Sequence, residues 1–180
     1  MKNILRIVVL IIVATSCQSE STVESTKKYF DLKGLIEKQI KILNTQKPLT
    51  QKLVVISDSS ESQSVKTIDW SKELELFMQA DLNKPAFIQS YRVDSSSTSV
   101  KYTLNASEKL PVKYLKISRL GEDGIAVEAL INNNNYLYET ERHLKLWVKN
   151  TNLINYQIDG FQKIVFGKKK IFKINGTIIR

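Results

Sequence analysis

From Phe87 onward the chain repeats one theme that leaves few folds open. Short runs of alternating apolar and polar residues recur at about ten-residue spacing, with no helical stretch between them. "FIQSYRV" and "SVKYTLNA" flank the loop "DSSST", and "PVKYLKISRL" and "IAVEALINN" flank the turn "GEDG". "YLYETERHLKLWVKN" follows the Asn132–Asn135 run, and "LINYQID", "FQKIVFG" and "KIFKING" complete the series, punctuated by Gly160, Gly167 and Gly176. Successive side chains of a strand point to opposite faces, so this alternation predicts a sheet with one oily and one wet face. Parallel neighbours would need long crossovers, and the short links here demand antiparallel pairing.

Ahead of the strands lie two stretches of helical period. In residues 26–48, Tyr29, Leu32, Ile36, Ile40 and Leu43 step by three and four and form one stripe. Ser25 can cap the start, Asn44 and Pro48 mark the end, and Gly34 weakens the middle by ~1 kcal/mol relative to Ala. Residues 69–85, "DWSKELELFMQADLNKP", place Trp70, Leu74, Phe77 and Met78 on one face, with Asp69 or Ser71 as cap and Pro85 as terminator. Between the two helices, "KLVVIS" and "VKTIDW" read as paired strands joined by an exposed polar loop, "DSSESQS". The expected class is α+β: two helices packed on a large curved antiparallel β-sheet of about eight to ten strands, an open or half barrel. Its element order is similar to that of the Lol-type lipoprotein carriers, with no motif to align residue by residue.

The start of the chain carries an address. Lys2 and Arg6 precede an unbroken apolar run, Ile7–Val13, of about 11 Å, far short of the ~30 Å core of a bilayer. It reads as the hydrophobic region of a secretory signal. Ala14-Thr15-Ser16-Cys17 resembles the lipobox of bacterial lipoproteins, with Ala where Leu is commonest. The resemblance implies a signal peptide over residues 1–16 and diacylglyceryl attachment to the Cys17 thiol. Two or more acyl chains hold a protein stably on a membrane. Cys17 is the only cysteine, so the mature chain has no internal disulfide. Residues 17–26 then form a lipidated cysteine and polar tether, and residues 27–180 one domain. Gln18 differs from the aspartate that retains enterobacterial lipoproteins in the inner membrane, which favours the outer membrane. The stretch "DWSKELELFMQADLNKPAFIQSY" and the Asn- and Lys-rich composition are similar to lipoproteins of Bacteroidetes.

Charge divides the mature chain. Residues 17–100 hold 11 basic and 11 acidic side chains, and residues 101–180 hold 14 and 7. A basic half can meet nucleic acid, anionic lipid or an acidic envelope partner, and the export signal argues against nucleic acid. The densest basic patch is Lys168, Lys169 and Lys170, placed at a turn, where it suits an anionic partner or a charged tip that blocks edge aggregation.

Catalytic chemistry has little footing. His143, the only histidine, follows Glu139 and Glu141 at a spacing of two, on one face of a strand with Lys145 and Lys149. Same-face side chains spread too far along a strand for one metal ion, so the row reads as a solvated face. There is no G-x-S-x-G turn, phosphate-cradling glycine loop or C-x-x-C, and no cofactor is implied. The expected function is a non-catalytic envelope lipoprotein that binds a hydrophobic or amphipathic ligand in its curved sheet. The alternatives are an assembly subunit, docking an envelope protein through a sheet edge or apolar patch, and an envelope hydrolase.

Overall fold

The computed structural model describes residues 27–180; the expected signal peptide, Ser25, Cys17 and its tether lie outside the described residues. The strands are β1 (Leu49–Ile56), β2 (Ser59–Val65), β3 (Tyr91–Ser95), β4 (Ser99–Leu104), β5 (Val112–Leu120), β6 (Gly124–Asn134), β7 (Tyr138–Lys149), β8 (Asn152–Ile164) and β9 (Lys170–Ile179). They form one sheet in the order β2-β1-β9-β8-β7-β6-β5-β4-β3. Every neighbouring pair is antiparallel. Strands β3 to β9 are an unbroken meander, and the β1–β2 hairpin joins it through β1 and β9. The sheet is open, with β2 and β3 as its edges.

That order forces a crossing. The chain leaves β2 at one edge and must begin β3 at the other, eight strand spacings or roughly 38 Å away along a flat sheet. Residues 66–90 make the journey over the oily face. Trp70, Leu74, Phe77, Ala80, Leu82 and Phe87 are buried along the way. Two short helices, α2 (Trp70–Glu73) and α3 (Glu75–Gln79), replace the single helix expected over 69–85. Asp69 caps the first, as expected. The break falls at Leu74 (φ −100°, ψ 6°), whose side chain is fully buried. Pro85 opens a 3₁₀ turn, Pro85–Phe87, instead of ending an α-helix.

Helix α1 (Leu32–Gln46) shares the cover. It starts later than its stripe suggests, because Asp31 is the cap, its carboxylate accepting from the Gly34 amide at 3.0 Å. Leu32, Ile36, Gln39 and Leu43 form the buried face, and Tyr29 reaches the core from ahead of the helix. Three polar pins hold the cover in register. Gln39 receives the Leu153 amide at 2.7 Å and donates to the Thr151 carbonyl at 3.1 Å, locking α1 to the β7–β8 turn. Asn83 binds the backbone of Tyr29 and Phe30, and buried Asp81 accepts from the Lys33 amide at 3.2 Å. Glu73 accepts from the Tyr156 hydroxyl at 2.6 Å and from Lys52 at 2.7 Å, joining α2 to β8 and β1. Burial first, and then the bond to Glu73, push the Tyr156 hydroxyl far above the ordinary tyrosine range.

Two strands differ from the sequence reading. Residues 59–64, expected as part of a polar loop, form β2 together with Val65, paired through seven positions with β1, and the strand expected over "VKTIDW" stops at Val65. Strand β8 runs straight through Gly160 as one element of 13 residues, where two strands were expected. Gly160 and Gly176 are not punctuation. A Cβ at Gly176 would land inside the Tyr156 ring, and one at Gly160 would strike the Glu141 carbonyl.

Two outcomes follow for stability. Gly176→Ala is expected to cost about 1–3 kcal/mol in urea unfolding, because the aromatic ring pinned by Glu73 and Trp70 has nowhere to move. The caps give the second. The bond from Lys27 and the Gly34 amide lower the Asp31 carboxyl, and the Lys72 amide lowers that of Asp69. Folded values below the unfolded one give stability that is present above about pH 4 and lost as pH falls through them. An acid titration followed by helical circular dichroism should therefore flatten in Asp31→Asn.

Candidate functional site

The long strands outrun the helical cover at one end, where the turns β1–β2, β6–β7 and β8–β9 lie together. Eight of the thirteen large apolar side chains exposed among the described residues sit there. Tyr136, Leu137 and Tyr138 come from the β6–β7 turn, and Ile164, Val165 and Phe166 from the β8–β9 turn. Ile56 and Ile171 lie beside them, and Phe166 is completely exposed. Burying such a phenylalanine would ordinarily gain about 1.5–3 kcal/mol, so its exposure on an ordered turn calls for a reason.

The turns are built firmly. The Asn135 carboxamide oxygen accepts from the Leu137 amide at 2.8 Å and the Tyr138 amide at 3.0 Å. Val165 N–H donates to the Leu137 carbonyl at 3.0 Å, stitching the two turns side by side. Gly167 N–H closes its own turn on the Ile164 carbonyl at 2.9 Å, and Ser57 N–H donates to the Ile171 carbonyl at 2.8 Å.

The predicted basic patch belongs to this end. Lys168, Lys169 and Lys170 are exposed and, with Ser57, Asp58 and Ile171, line an open cleft of about 440 Å³. They do not project as one tuft. Lys170 pairs with Gln162 in register with the helix-covered face, while the Lys169 ammonium sits 3.5 Å from the centroid of Phe161 on the other face. The alternation of β9 imposes that divergence.

A second concavity lies near the opposite end of β6. Phe30, Val100, Tyr102, Ile117 and Ile125 wall a groove of about 350 Å³, with Arg119 and the loop Ser96–Ser99 at its rim. The Phe30 amide donates to the Tyr102 hydroxyl at 3.2 Å, holding the helix entry over β4. Among the described residues Arg119 has no ion-pair partner. No single stretch of sequence marks this groove, because its walls come from the helix entry, β4, β5 and β6.

The acid–histidine row lies as its spacing predicted. Glu139, Glu141, His143 and Lys145 share the face away from the helices, in register with Lys163, Phe161, Asp159 and Gln157 of β8. His143 Nε2 is 3.1 Å from Glu141 Oε1, and Asn132 donates to the other carboxylate oxygen at 3.3 Å. The imidazole bond, above all, lowers the Glu141 carboxyl below its ordinary range. No set of three acids, histidines or cysteines close enough to hold a metal occurs among the described residues. No described helix is long and apolar enough to cross a membrane. No family model, curated protein or solved structure matches the chain.

His143→Ala removes an exposed pair of the kind that contributes little. The unfolding free energy should change by less than about 0.5 kcal/mol in a denaturant titration.

Proposed function

We propose that this chain is a non-catalytic envelope lipoprotein, acylated at Cys17, whose folded part binds one small amphipathic anion in the groove beneath Phe30. The observation that carries the reading is the pairing of an apolar wall with one unpartnered guanidinium at its rim. Ligand sites are typically apolar concavities of about 300–1,000 Å³ with a few placed polar groups, and this groove falls at the small end of that range. Ile117 and Val100 would contact a short hydrocarbon, and Arg119 and the Ser96–Ser99 hydroxyls its carboxylate or phosphate. The helices cover the middle of the oily face, so the ligand belongs at this margin and not in a deep central cavity.

Titration calorimetry of the purified full chain with a ten-carbon carboxylate tests the proposal. Saturable binding of one molecule is expected, weakened about tenfold or more by Ile117→Arg and less by Arg119→Ala, with unchanged circular dichroism in both. An equal heat for the parent chain and Ile117→Arg would overturn it.

A further inference from the structure

We infer that the end of the sheet formed by the β6–β7 and β8–β9 turns is a bilayer-docking surface, seating its apolar tips among anionic headgroups. The inference goes beyond the groove and uses none of its residues. The Val165–Leu137 backbone bond sets the two turns edge to edge, which brings the exposed Leu137, Val165 and Phe166 to one apolar ridge of the sheet end. Tyr136, 85% exposed, stands on the same ridge. A protein partner and a bilayer could both cover exposed apolar groups, but the surroundings favour the bilayer. Lys163, Lys168, Lys169 and Lys170 come from the same hairpin, against the acids Asp58 of the β1–β2 turn and Glu139 of β7.

An apolar tip flanked by long cationic side chains suits the headgroup boundary. The rings enter the acyl margin while each ammonium reaches back to a phosphate. Aromatic side chains favour that depth as well. The cited turn amides of Leu137, Tyr138, Val165 and Gly167 already have hydrogen-bond partners, so entering the interface strips water from none of these donors. Each lysine close to an anionic surface strengthens association about fivefold. Docking in this pose would turn the amphiphile groove away from the bilayer, since Ile125 and Asn134 stand near opposite ends of β6, roughly 30 Å apart.

The test reads the depth of the tip, because an acyl anchor at Cys17 would hold the chain on vesicles wherever the tip pointed. Phe166→Trp places an indole where the native ring touches solvent, over the constant emission of Trp70 and Trp147. The full acylated chain is reconstituted in phosphatidylcholine–phosphatidylglycerol vesicles carrying bromine high on the acyl chains. The added emission should shift to the blue and lose most of its intensity. In Lys168→Glu/Lys170→Glu, or in pure phosphatidylcholine, most of that quenching should vanish. An added emission that stays water-like and open to soluble acrylamide, while the chain sediments with the vesicles, would overturn the docking and leave the anchor standing. Quenching that persists undiminished in both the lysine variant and the neutral vesicles would overturn the role of anionic lipid.

Discussion

The first and second strands close a hairpin at one margin of the sheet, and the third begins at the other margin. The chain between them has to cross the whole oily face, and the rest of the architecture follows from how it does so. Trp70, Leu74, Phe77, Leu82 and Phe87 are spaced along that crossing and all buried, so the connection is also the lid of the core. An open sheet with one apolar face is stable only when something covers it. Here the cover is the segment that topology already requires, with α1 laid beside it. Glu73 and Gln39 then tie it to the sheet, while Asn83 and Asp81 tie the crossing to α1 and its entry. Tyr156 receives the cover on the sheet side through Glu73, and within the sheet the Tyr91 hydroxyl donates to the Val112 carbonyl at 2.8 Å, bracing β3 against β5.

The cover is shorter than the strands it protects. Strands β7 and β8 have 12 and 13 residues, and about 3.4 Å per residue carries them some 40 Å, several helix diameters. Strand ends therefore emerge from under the helices, and both surfaces with chemistry of their own arise there. At one end the margin is a groove walled by Phe30, Val100 and Ile117. At the other it is a ridge of bare apolar turns set among lysines. On the outer face, among the described residues, no three acids converge, and the Glu141–His143 pair is solvated.

How far residues could be read on their own depended on which force placed them. Strand β7, β5 from Leu115 and β6 from Val127 alternate because one face is buried against the helices and the other is wet, so burial wrote their period into the side chains. Strand β2 carries no such mark. It lies at an edge, none of its side chains is buried, and only backbone bonds to β1 make it a strand. Gly160 and Gly176 look like turn residues, and both are strand residues kept small by what stands opposite. The crossing read as one helix because Trp70, Leu74 and Phe77 keep helical spacing, yet the helix breaks at Leu74, and irregular chain with a 3₁₀ turn after Gln79 brings Leu82 and Phe87 into the core. Lys168–Lys170 were legible as a basic turn. Their division between the two faces, and the apolar ridge next to them, were not, since neighbours on adjacent hairpins are distant in sequence.

The class of fold, the antiparallel pairing and the wet character of the His143 row could be read from the residues alone. Each of these is local, set by the period of side chains along one element. Only the assembled fold fixes that the first hairpin, β1–β2, closes on the last strand, that residues 66–90 roof the sheet, and that opposite strand ends carry a groove and a ridge. Those features depend on which strands become neighbours and on how much of their length the helices can reach, and neither quantity is written in any single stretch of residues.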